Sequence, residues 1–204
     1  MDYIQKNPYS KFKVKQEETH KDFLTMEELK KLEKKEVELT RLATVRDIFV
    51  FACYTGLSYS DVFALTTNNI RLGIDGEKWI ITHRIKNNQQ VRVPLLPLAE
   101  AVVEKYKGNP RIEVTGKLLP TFSNQKMNSY LKEIADLCEI DKHLTFHVAR
   151  HTFATTVTLN NGVPIETVLK LLGHRSISTT QIYARVIDTK LSQDMKKLRE
   201  VLPK

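Results

Sequence analysis

Polar side chains interrupt two otherwise apolar, helix-like segments in the last third of the chain. In FHVARHTFAT, His147 and Arg150 are three positions apart, so they share a helix face and both can reach one anionic oxygen. In LLGHRSISTTQIYARV, Gly173 is expected to end a helix, His174 follows in the break, and Tyr183 lies on the next helix. Taken singly, such residues are more often a solvated polar face or an amphipathic core tyrosine. Cationic donors around a phenol would suit attack on a phosphodiester, because the reaction builds charge on the equatorial oxygens.

A third polar segment, RIKNNQQVRV, lies between two β-rich runs in the middle of the chain. The pattern from about residue 79 to 94 predicts a β-hairpin that turns at Asn87 and Asn88. Arg84 and Lys86 are two positions apart, and in a strand that spacing puts both side chains on one face. We therefore expect both cations to point at the same ligand.

Helical patterns bounded by Gly, Pro, Asn or Ser account for most of the rest of the chain. Thr25 and Glu28 form a capping-box pattern, which predicts that the folded domain begins near them. Gly56 is expected to end a buried helix through TRLATVRDIFVFACYTG, and SYSDVFAL to begin a short one. The hairpin is the only convincing sheet, so the predicted fold is mainly α with a small antiparallel β-sheet (α+β). Further helices are predicted in LAEAVVEKYK, NSYLKEIADLCEI, HVARHTFATTVTL, PIETVLKLLG and TKLSQDMKKLREVL.

The composition favours an anionic partner and an intracellular location. Lysine and arginine number 32 against 24 aspartate and glutamate residues, which gives a net charge of +8. Cys53 and Cys138 lie in apolar, helix-like surroundings and are expected to be core residues without a disulfide or zinc site. The sequence has no long apolar run, no acidic cluster near the motifs and no GxxxxGK[ST] loop. We expect a cytoplasmic, nucleoid-associated protein with no membrane partner, no metal and no other cofactor.

HxxR followed by LGHxSxxTTxxYA, in this order and spacing, resembles the tyrosine recombinase (phage integrase) family. The resemblance extends from about Phe23 to Ala184. TGLSYSDVFALTTNNI is similar to the family's first box, and IITHRIKNNQQVRVPL to its lysine-bearing hairpin. NPYSKFKVK resembles the end of the core-binding domain in integrases of Bacteroides-type conjugative elements. The resemblance implies the fold of a tyrosine recombinase catalytic domain.

Three regions follow from this resemblance. Residues 1–20 are expected to be a linker or the remnant of an upstream core-binding domain, and residues 21–187 the catalytic domain. Residues 188–204 are expected to form an amphipathic helix that packs on a neighbouring protomer. The alternative is that this helix folds back onto its own core.

The resemblance also implies a role for each polar residue of the motifs. Tyr183 matches the nucleophile that becomes linked to the 3′ end of the cut strand, and Arg150 matches an arginine that holds the phosphate. His147 suits proton transfer near the tyrosine hydroxyl, and His174 suits donation to a nonbridging oxygen. Lys86 matches the lysine that protonates the departing 5′ oxygen. Such chemistry needs neither metal nor ATP, because the phosphotyrosyl ester stores the broken bond.

The first box departs from the family at Ser58, which stands where the family has an arginine. Loss of a preorganised cationic donor could cost about 3 kcal/mol of transition-state stabilisation. Arg84 is the preferred substitute, and Arg46 is the alternative; Arg84 could also be a plain DNA-backbone contact. Asp61 is expected to orient a neighbouring cation.

We expect double-stranded DNA as the partner, bound by a homo-oligomer, a tetramer in this family, together with accessory DNA-bending proteins. Ser58, Arg84, Lys126 and Arg175 are the expected DNA contacts, with Lys132 as a further candidate. Two rival functions stay open. A type IB topoisomerase-like enzyme would share the tyrosine chemistry, although the LGHxSxxTTxxYA spacing argues against it. A non-catalytic DNA-binding relative would explain the serine of the first box.

Overall fold

The computed structural model describes residues 22–177, Thr180, Tyr183 and five exposed helical positions near the C-terminus, apart from the Arg111 side chain. In the described residues the helices are α1 (Met26–Lys34), α2 (Thr40–Thr55), α3 (Tyr59–Ala64), α4 (Pro97–Tyr106), α5 (Pro110–Thr115), α6 (Asn124–Leu137), α7 (Phe146–Thr152) and α8 (Ile165–Leu172). The strands are β1 (Ile70–Leu72), β2 (Lys78–His83) and β3 (Gln90–Pro94). The predicted mainly α fold with a small antiparallel sheet is confirmed.

Helix α2 is the centre of the domain. It packs against α1, α4, α6 and α7, and its residues are apolar on nearly every side, as expected for a buried helix. Phe146, at the start of α7, lies edge-on to Phe49 of α2 and Tyr59 of α3, with ring centroids 6.4 and 5.7 Å apart. These contacts fix α7, which carries Arg150, against the core.

The sheet is antiparallel with strand order β1-β2-β3. Ile80 pairs with Val93, and both side chains are buried, so one face of the hairpin packs on the core. The turn between β2 and β3 falls at the predicted asparagines, and Asn88 adopts a positive φ of 52°. Strand β1 was not predicted, because its three residues are too short to show a period of two. Helix α5 was also not predicted.

The predicted helix through HVARHTFATTVTL has three parts. Helix α7 continues into a π-helical segment, Phe153–Thr158, and then a 3₁₀ turn, Leu159–Asn161. The hydroxyl of Thr158 donates to the carbonyls of Phe153 and Ala154, at 3.0 and 2.7 Å, where the wider turn presents both oxygens.

The segment just before α1 is hydrogen-bonded to α7 and to its π-helical extension. The amide of Leu24 donates to the hydroxyl of Thr152 at 2.9 Å, and the hydroxyl of Thr156 donates to the Leu24 carbonyl. The capping box of α1 is confirmed, since Thr25 and Glu28 exchange both bonds.

Both cysteines are buried, as expected of core residues, and both are free thiols. The predicted C-terminal helix, 188–204, lies for the most part outside the described residues, as does all of the segment 1–20. Met195 is described as a helical residue with 43% of its surface exposed. Among the described residues, no helix has the length and apolarity needed to cross a membrane.

Candidate active site

Arg150 lies where the C-terminal ends of two helices meet. Its Nη1 donates to the carbonyl of Gly56, which caps α2, and its Nη2 donates to the carbonyl of Leu172, the last residue of α8, both at 2.6 Å. Carbonyls at helix C-termini lack helical partners and carry the negative end of the helix dipole. A cation therefore suits this junction. The side chain of Arg150 is buried there, with an exposed fraction of 4%.

Two glycines allow the helix ends to come this close. Gly56 and Gly173 end α2 and α8 with left-handed φ values of 67° and 62°. A Cβ on Gly56 would lie 2.4 Å from the ring of Phe153, and one on Gly173 would lie 2.5 Å from Val91. Both positions therefore exclude any side chain, for reasons of space as well as of backbone conformation.

Arg84 reaches the same junction from the hairpin. Its Nη1 donates to the Leu172 carbonyl at 2.5 Å, so two arginines share one backbone oxygen. Its Nε lies 2.8 Å from Oδ2 of Asp61 as an ion pair, but this N–H has no aligned hydrogen-bond partner among the described residues. The guanidinium of Arg84 is thus buried with its Nε–H donor unsatisfied among the described residues.

The expectation that Arg84 and Lys86 share a strand face is wrong. Strand β2 ends at His83, and both cations lie in the turn that follows, where strand alternation no longer holds. Arg84 is buried against α8, whereas Lys86 is exposed at the tip of the turn. The structure therefore brings Arg84 to Arg150 and leaves Lys86 facing solvent.

Asp61 joins the first box to the hairpin. Its carboxylate is 99% buried, since its exposed fraction is 1%, and it accepts bonds from the Ser58 hydroxyl at 2.5 Å and the Ile85 amide at 2.9 Å. With the Arg84 ion pair, this carboxylate holds Ser58 and Arg84 on the same oxygen, Oδ2. Asp61 orients a neighbouring cation, as the sequence suggested, and the cation is Arg84.

Arg46, the alternative substitute for the missing arginine, lies elsewhere. It precedes the C-terminal end of α2 by nearly ten residues, about 14 Å at the helical rise of 1.5 Å per residue. There it pairs with Asp47, with 2.7 Å between Nη2 and Oδ1, and donates to the carbonyl of Lys35. Asp47 also accepts from Lys105 and Tyr106, so this arginine belongs to a separate structural network.

His174 is held between Arg150 and Thr180. Its Nε2 lies 2.9 Å from Nη2 of Arg150, and its Nδ1 lies 2.9 Å from the Thr180 hydroxyl. Because a guanidinium only donates, Nε2 must be the acceptor, and the proton of the neutral ring lies on Nδ1. Burial, followed by the charges of Arg150 and Arg84, lowers the pKa of His174 to about 4, which is consistent with a neutral ring. In this state Nε2 is not a donor, so donation to a phosphate oxygen would require Nε2 both to leave Arg150 and to gain a proton.

Tyr183 packs in a small apolar cluster between the π-helical segment and α8 and is 5% exposed. Its ring is parallel to that of His174, with centroids 6.5 Å apart. Its hydroxyl lies 3.0 Å from Nδ1 of His151. Burial raises the pKa of the Tyr183 phenol, and the charges of Arg150 and Arg84 act in the opposite direction.

His151 is the residue that sequence reasoning missed. It directly follows Arg150, and it lies one turn after His147 on the same helix face, so the spacing that singled out His147 also pointed to it. His151 is 4% exposed, whereas the side chain of His147 is exposed; the two rings meet edge-on, with centroids 4.4 Å apart.

The two further basic residues that were expected to contact DNA are both exposed. Arg175 donates to the carbonyl of Asn87 at 3.3 Å and so lies against the hairpin turn that carries Lys86. Lys126 lies in the first turn of α6, which Ser123 caps.

Burial and the charge of Arg84 lower the pKa of Arg150 to about 10, so Arg150 stays a cation at neutral pH.

Known proteins are similar to this chain in sequence and in fold. The chain is 34% identical over 151 residues to tyrosine recombinase XerD of Halalkalibacterium halodurans, which covers 67% of this chain and 48% of that protein. It is 28% identical over 211 residues to tyrosine recombinase XerC of Pediococcus pentosaceus, covering 96% of this chain and 68% of that one. The chain thus spans about half the length of the first of these relatives.

Solved structures agree with these relatives. The crystal structure of XerA recombinase superposes with a TM-score of 0.71 at 25% identity and covers 91% of this chain and 67% of that one. A lambda integrase dimer bound to a core site superposes with a TM-score of 0.66 at 15% identity, covering 88% and 65%, a likeness of fold alone. Residues 22–190, which include every site residue described above, match the Phage integrase family, and the chain belongs to that family.

Proposed function

We propose that this chain is the catalytic domain of a site-specific DNA recombinase that cuts and rejoins double-stranded DNA through a 3′-phosphotyrosyl intermediate. One observation carries the proposal: the chain's own Tyr183 is buried beside a junction that holds two arginines and a neutral histidine. A phenol next to fixed cationic donors suits in-line attack on a phosphodiester. XerD and XerC, the relatives named above, are tyrosine recombinases by name.

Each side chain has a proposed part in the reaction. Tyr183 attacks the phosphorus and forms a new ester, while the bond to the 5′ oxygen breaks. Arg150 holds the nonbridging oxygens of the phosphate. These oxygens replace the carbonyls of Gly56 and Leu172 as hydrogen-bond acceptors of its guanidinium. Lys86, exposed at the tip of the hairpin turn, protonates the departing 5′ oxygen. His174 donates to the phosphate once its Nε2 has left Arg150 and has gained a proton. The role expected of His147, proton transfer near the tyrosine hydroxyl, stays a prediction.

Arg84 is the proposed replacement for the arginine that Ser58 lacks. The two side chains share Oδ2 of Asp61, so the guanidinium of Arg84 lies beside the position that an arginine of the first box would start from. Its Nη1 already shares an acceptor with Arg150, and its Nε keeps a donor without an aligned partner. A phosphate held by Arg150 would accept a bond from that donor, and Arg84 would supply the positive charge that Ser58 lacks.

Lys126 and Arg175 are proposed DNA-backbone contacts, because both are exposed cations and Arg175 lies against the catalytic hairpin. We also propose assembly into a tetramer on DNA, with residues 188–204 packing on a neighbouring protomer. A lambda integrase tetramer bound to a Holliday junction has the same fold. Accessory DNA-bending proteins, a cytoplasmic location at the nucleoid and a role in a mobile element belong to the same proposal.

The test is covalent trapping. A pool of nicked duplexes with randomised sequence around the nick is incubated with the chain, and protein–DNA adducts that survive denaturing electrophoresis are isolated and sequenced. An adduct that forms with the wild type and not with Tyr183→Phe supports the proposal, because only the nucleophilic oxygen is removed. Binding without any adduct favours the second candidate, a non-catalytic DNA-binding relative, for which Ser58 is the specific observation. Relaxation of a supercoiled plasmid without strand exchange would instead indicate a topoisomerase.

A further inference from the structure

A second histidine of α7 contacts the atom that would react. His151 Nδ1 lies 3.0 Å from the hydroxyl oxygen of Tyr183, and both residues are buried, with exposed fractions of 4% and 5%. The rings of His151 and Tyr183 are 5.3 Å apart at an angle of 50°, so the imidazole edge faces the phenol oxygen. A base must lie within about 2.6–3.2 Å of the proton's heavy atom, and this pair meets that distance.

The other histidines are less well placed to take the proton of the phenol. Nε2 of His174 faces Arg150 and its Nδ1 faces Thr180, so both ring nitrogens are engaged there. The ring of His174 is parallel to that of Tyr183, with the ring centroids 6.5 Å apart. His147 lies one turn from His151 on α7 with its side chain exposed, and its ring is edge-on to that of His151.

We infer that His151 is a catalytic residue that orients the hydroxyl of Tyr183 and accepts its proton during attack; this role rests on the proposed recombinase function. In the forward step, the phenol oxygen bonds to phosphorus, and its proton moves to Nδ1 of His151, which becomes an imidazolium. The bond from phosphorus to the 5′ oxygen breaks, and that oxygen receives a proton from Lys86. Rejoining reverses each transfer, so His151 returns the proton to the departing phenol.

The surroundings of the pair favour this transfer. Removal from water makes the buried phenol harder to ionise, so a base on the hydroxyl contributes more there than it would at an exposed site. His147 is exposed and its ring is edge-on to that of His151, so it offers the proton on the His151 imidazolium a path to solvent. The proton role that the resemblance implies for His147 therefore becomes a second step, after His151.

The test separates loss of basicity from loss of structure. In His151→Asn the amide oxygen lies near the former Nδ1 position and can accept a hydrogen bond, but it cannot take a proton. We expect adduct formation in a single turnover to slow on the order of 100-fold, within the usual range for loss of a general base. The phenol of difluorotyrosine is more acidic than that of tyrosine. Replacing Tyr183 by difluorotyrosine should therefore recover about tenfold of that loss in rate, because a weaker base then suffices.

The matched control is His147→Asn, on the same helix face one turn away, combined with the same difluorotyrosine. Rescue of His151→Asn but not of His147→Asn is the expected result. Rescue of His147→Asn alone, a His151→Asn chain that cleaves within about threefold of wild type, or a slow His151→Asn chain without rescue would each overturn the inference. A wild-type chain that forms no adduct overturns the recombinase function itself, whereas an active wild type with an active His151→Asn overturns only the role of His151.

Because His151 is buried, the variant could lose its fold, and a second measurement on native protein guards against this. Nitrogen NMR of histidine-labelled chain compares the wild type with Tyr183→Phe, in which only the phenol oxygen is missing. The Nδ1 resonance of His151 should shift when its hydrogen-bond partner is removed. An unchanged resonance would show that the contact does not exist in solution and would overturn the inference.

Discussion

The guanidinium of Arg84 lies against the carboxylate of Asp61, with 2.8 Å between Nε and Oδ2. Both groups are buried, with exposed fractions of 9% and 1%. A buried ion pair of this kind is costly to break from one side, because the remaining charge stays in a poorly solvated site. Any substitution of Arg84 therefore acts on the stability of the domain as well as on its proposed reaction.

The first prediction concerns Arg84→Ala. It should lower adduct formation at least 100-fold, the usual loss for a preorganised donor, while DNA binding falls much less. Ser58→Arg in the same background should recover part of the loss, because the new guanidinium starts beside the same Asp61 carboxylate. Rates of adduct formation in the two single variants and the double variant are compared by a double-mutant cycle.

Arg92→Ala is the matched control for that cycle, since Arg92 is an exposed cation of the same hairpin, on β3. It removes one positive charge without opening the buried junction. Additive effects of Arg84→Ala and Ser58→Arg, or an Arg84→Ala chain that cleaves like Arg92→Ala, would leave Arg84 as an ordinary backbone contact. Urea denaturation of each variant shows how much of the loss comes from unfolding.

The second prediction is that Gly173→Ala damages both stability and the site. An alanine there would adopt a φ of 62°, and its Cβ would lie 2.5 Å from Val91 and 3.2 Å from the side chain of Arg84. Gly162→Ala is the control, because Gly162 also has a positive φ, 84°, but a Cβ would meet nothing within 4 Å. Gly162→Ala should cost about 1 kcal/mol in urea denaturation. Gly173→Ala should cost distinctly more and should also slow adduct formation; equal effects in both variants would contradict this.

The third prediction is a pH dependence of stability. The pKa of His174 is about 4 in the folded chain against 6.5 for an unperturbed histidine. The unfolded chain therefore takes up this proton first as the pH falls. The stabilising contribution of the neutral ring is present above pH 6.5 and is lost as the pH falls toward 4. Between those values, the free energy of unfolding should fall more steeply for the wild type than for His174→Gln, as measured by urea denaturation. Parallel curves would contradict a buried, neutral His174.

The fourth prediction concerns Lys86. Lys86→Ala should slow cleavage severely on an ordinary duplex and recover on a duplex whose 5′ leaving atom is sulfur, because a thiolate leaves without a proton. Arg150→Ala is the comparison: it should slow cleavage of both substrates equally, since it acts on the nonbridging oxygens. Absence of sulfur rescue would remove Lys86 from the general-acid role. The measurement is single-turnover adduct formation with both duplexes.

Short-range patterns in the sequence predicted much of the fold. Thr25 with Glu28, Gly56 and Gly173 each identified a helix end correctly, because capping and left-handed glycine are local properties of the chain. The hairpin was placed correctly because its turn residues lie between two β-rich runs. Strand β1 is defined by pairing with β2 over only three residues, and that partnership is not visible in a local pattern.

The site was predicted less completely, because its geometry depends on distant contacts. The two-residue spacing of Arg84 and Lys86 would have set them together only if β2 continued past His83, and it ends there. Asp61 draws Arg84 inward across 23 positions of sequence, and no local rule reports that contact. His151 was visible as the residue after Arg150, but only its 3.0 Å contact with Tyr183 separates it from an ordinary buried histidine.

The backbone oxygens around Arg150 also bear on how selective the site is without DNA. Water and small solutes must displace carbonyls that are already bonded to Nη1 and Nη2 at 2.6 Å. A neutral solute would exchange one uncharged acceptor for another and gain little. A phosphodiester replaces them with charged oxygens, and charge-assisted bonds are about twice as strong as neutral ones. The helix ends thus favour anionic ligands over all others, and they keep two arginines dehydrated and in position before any ligand arrives.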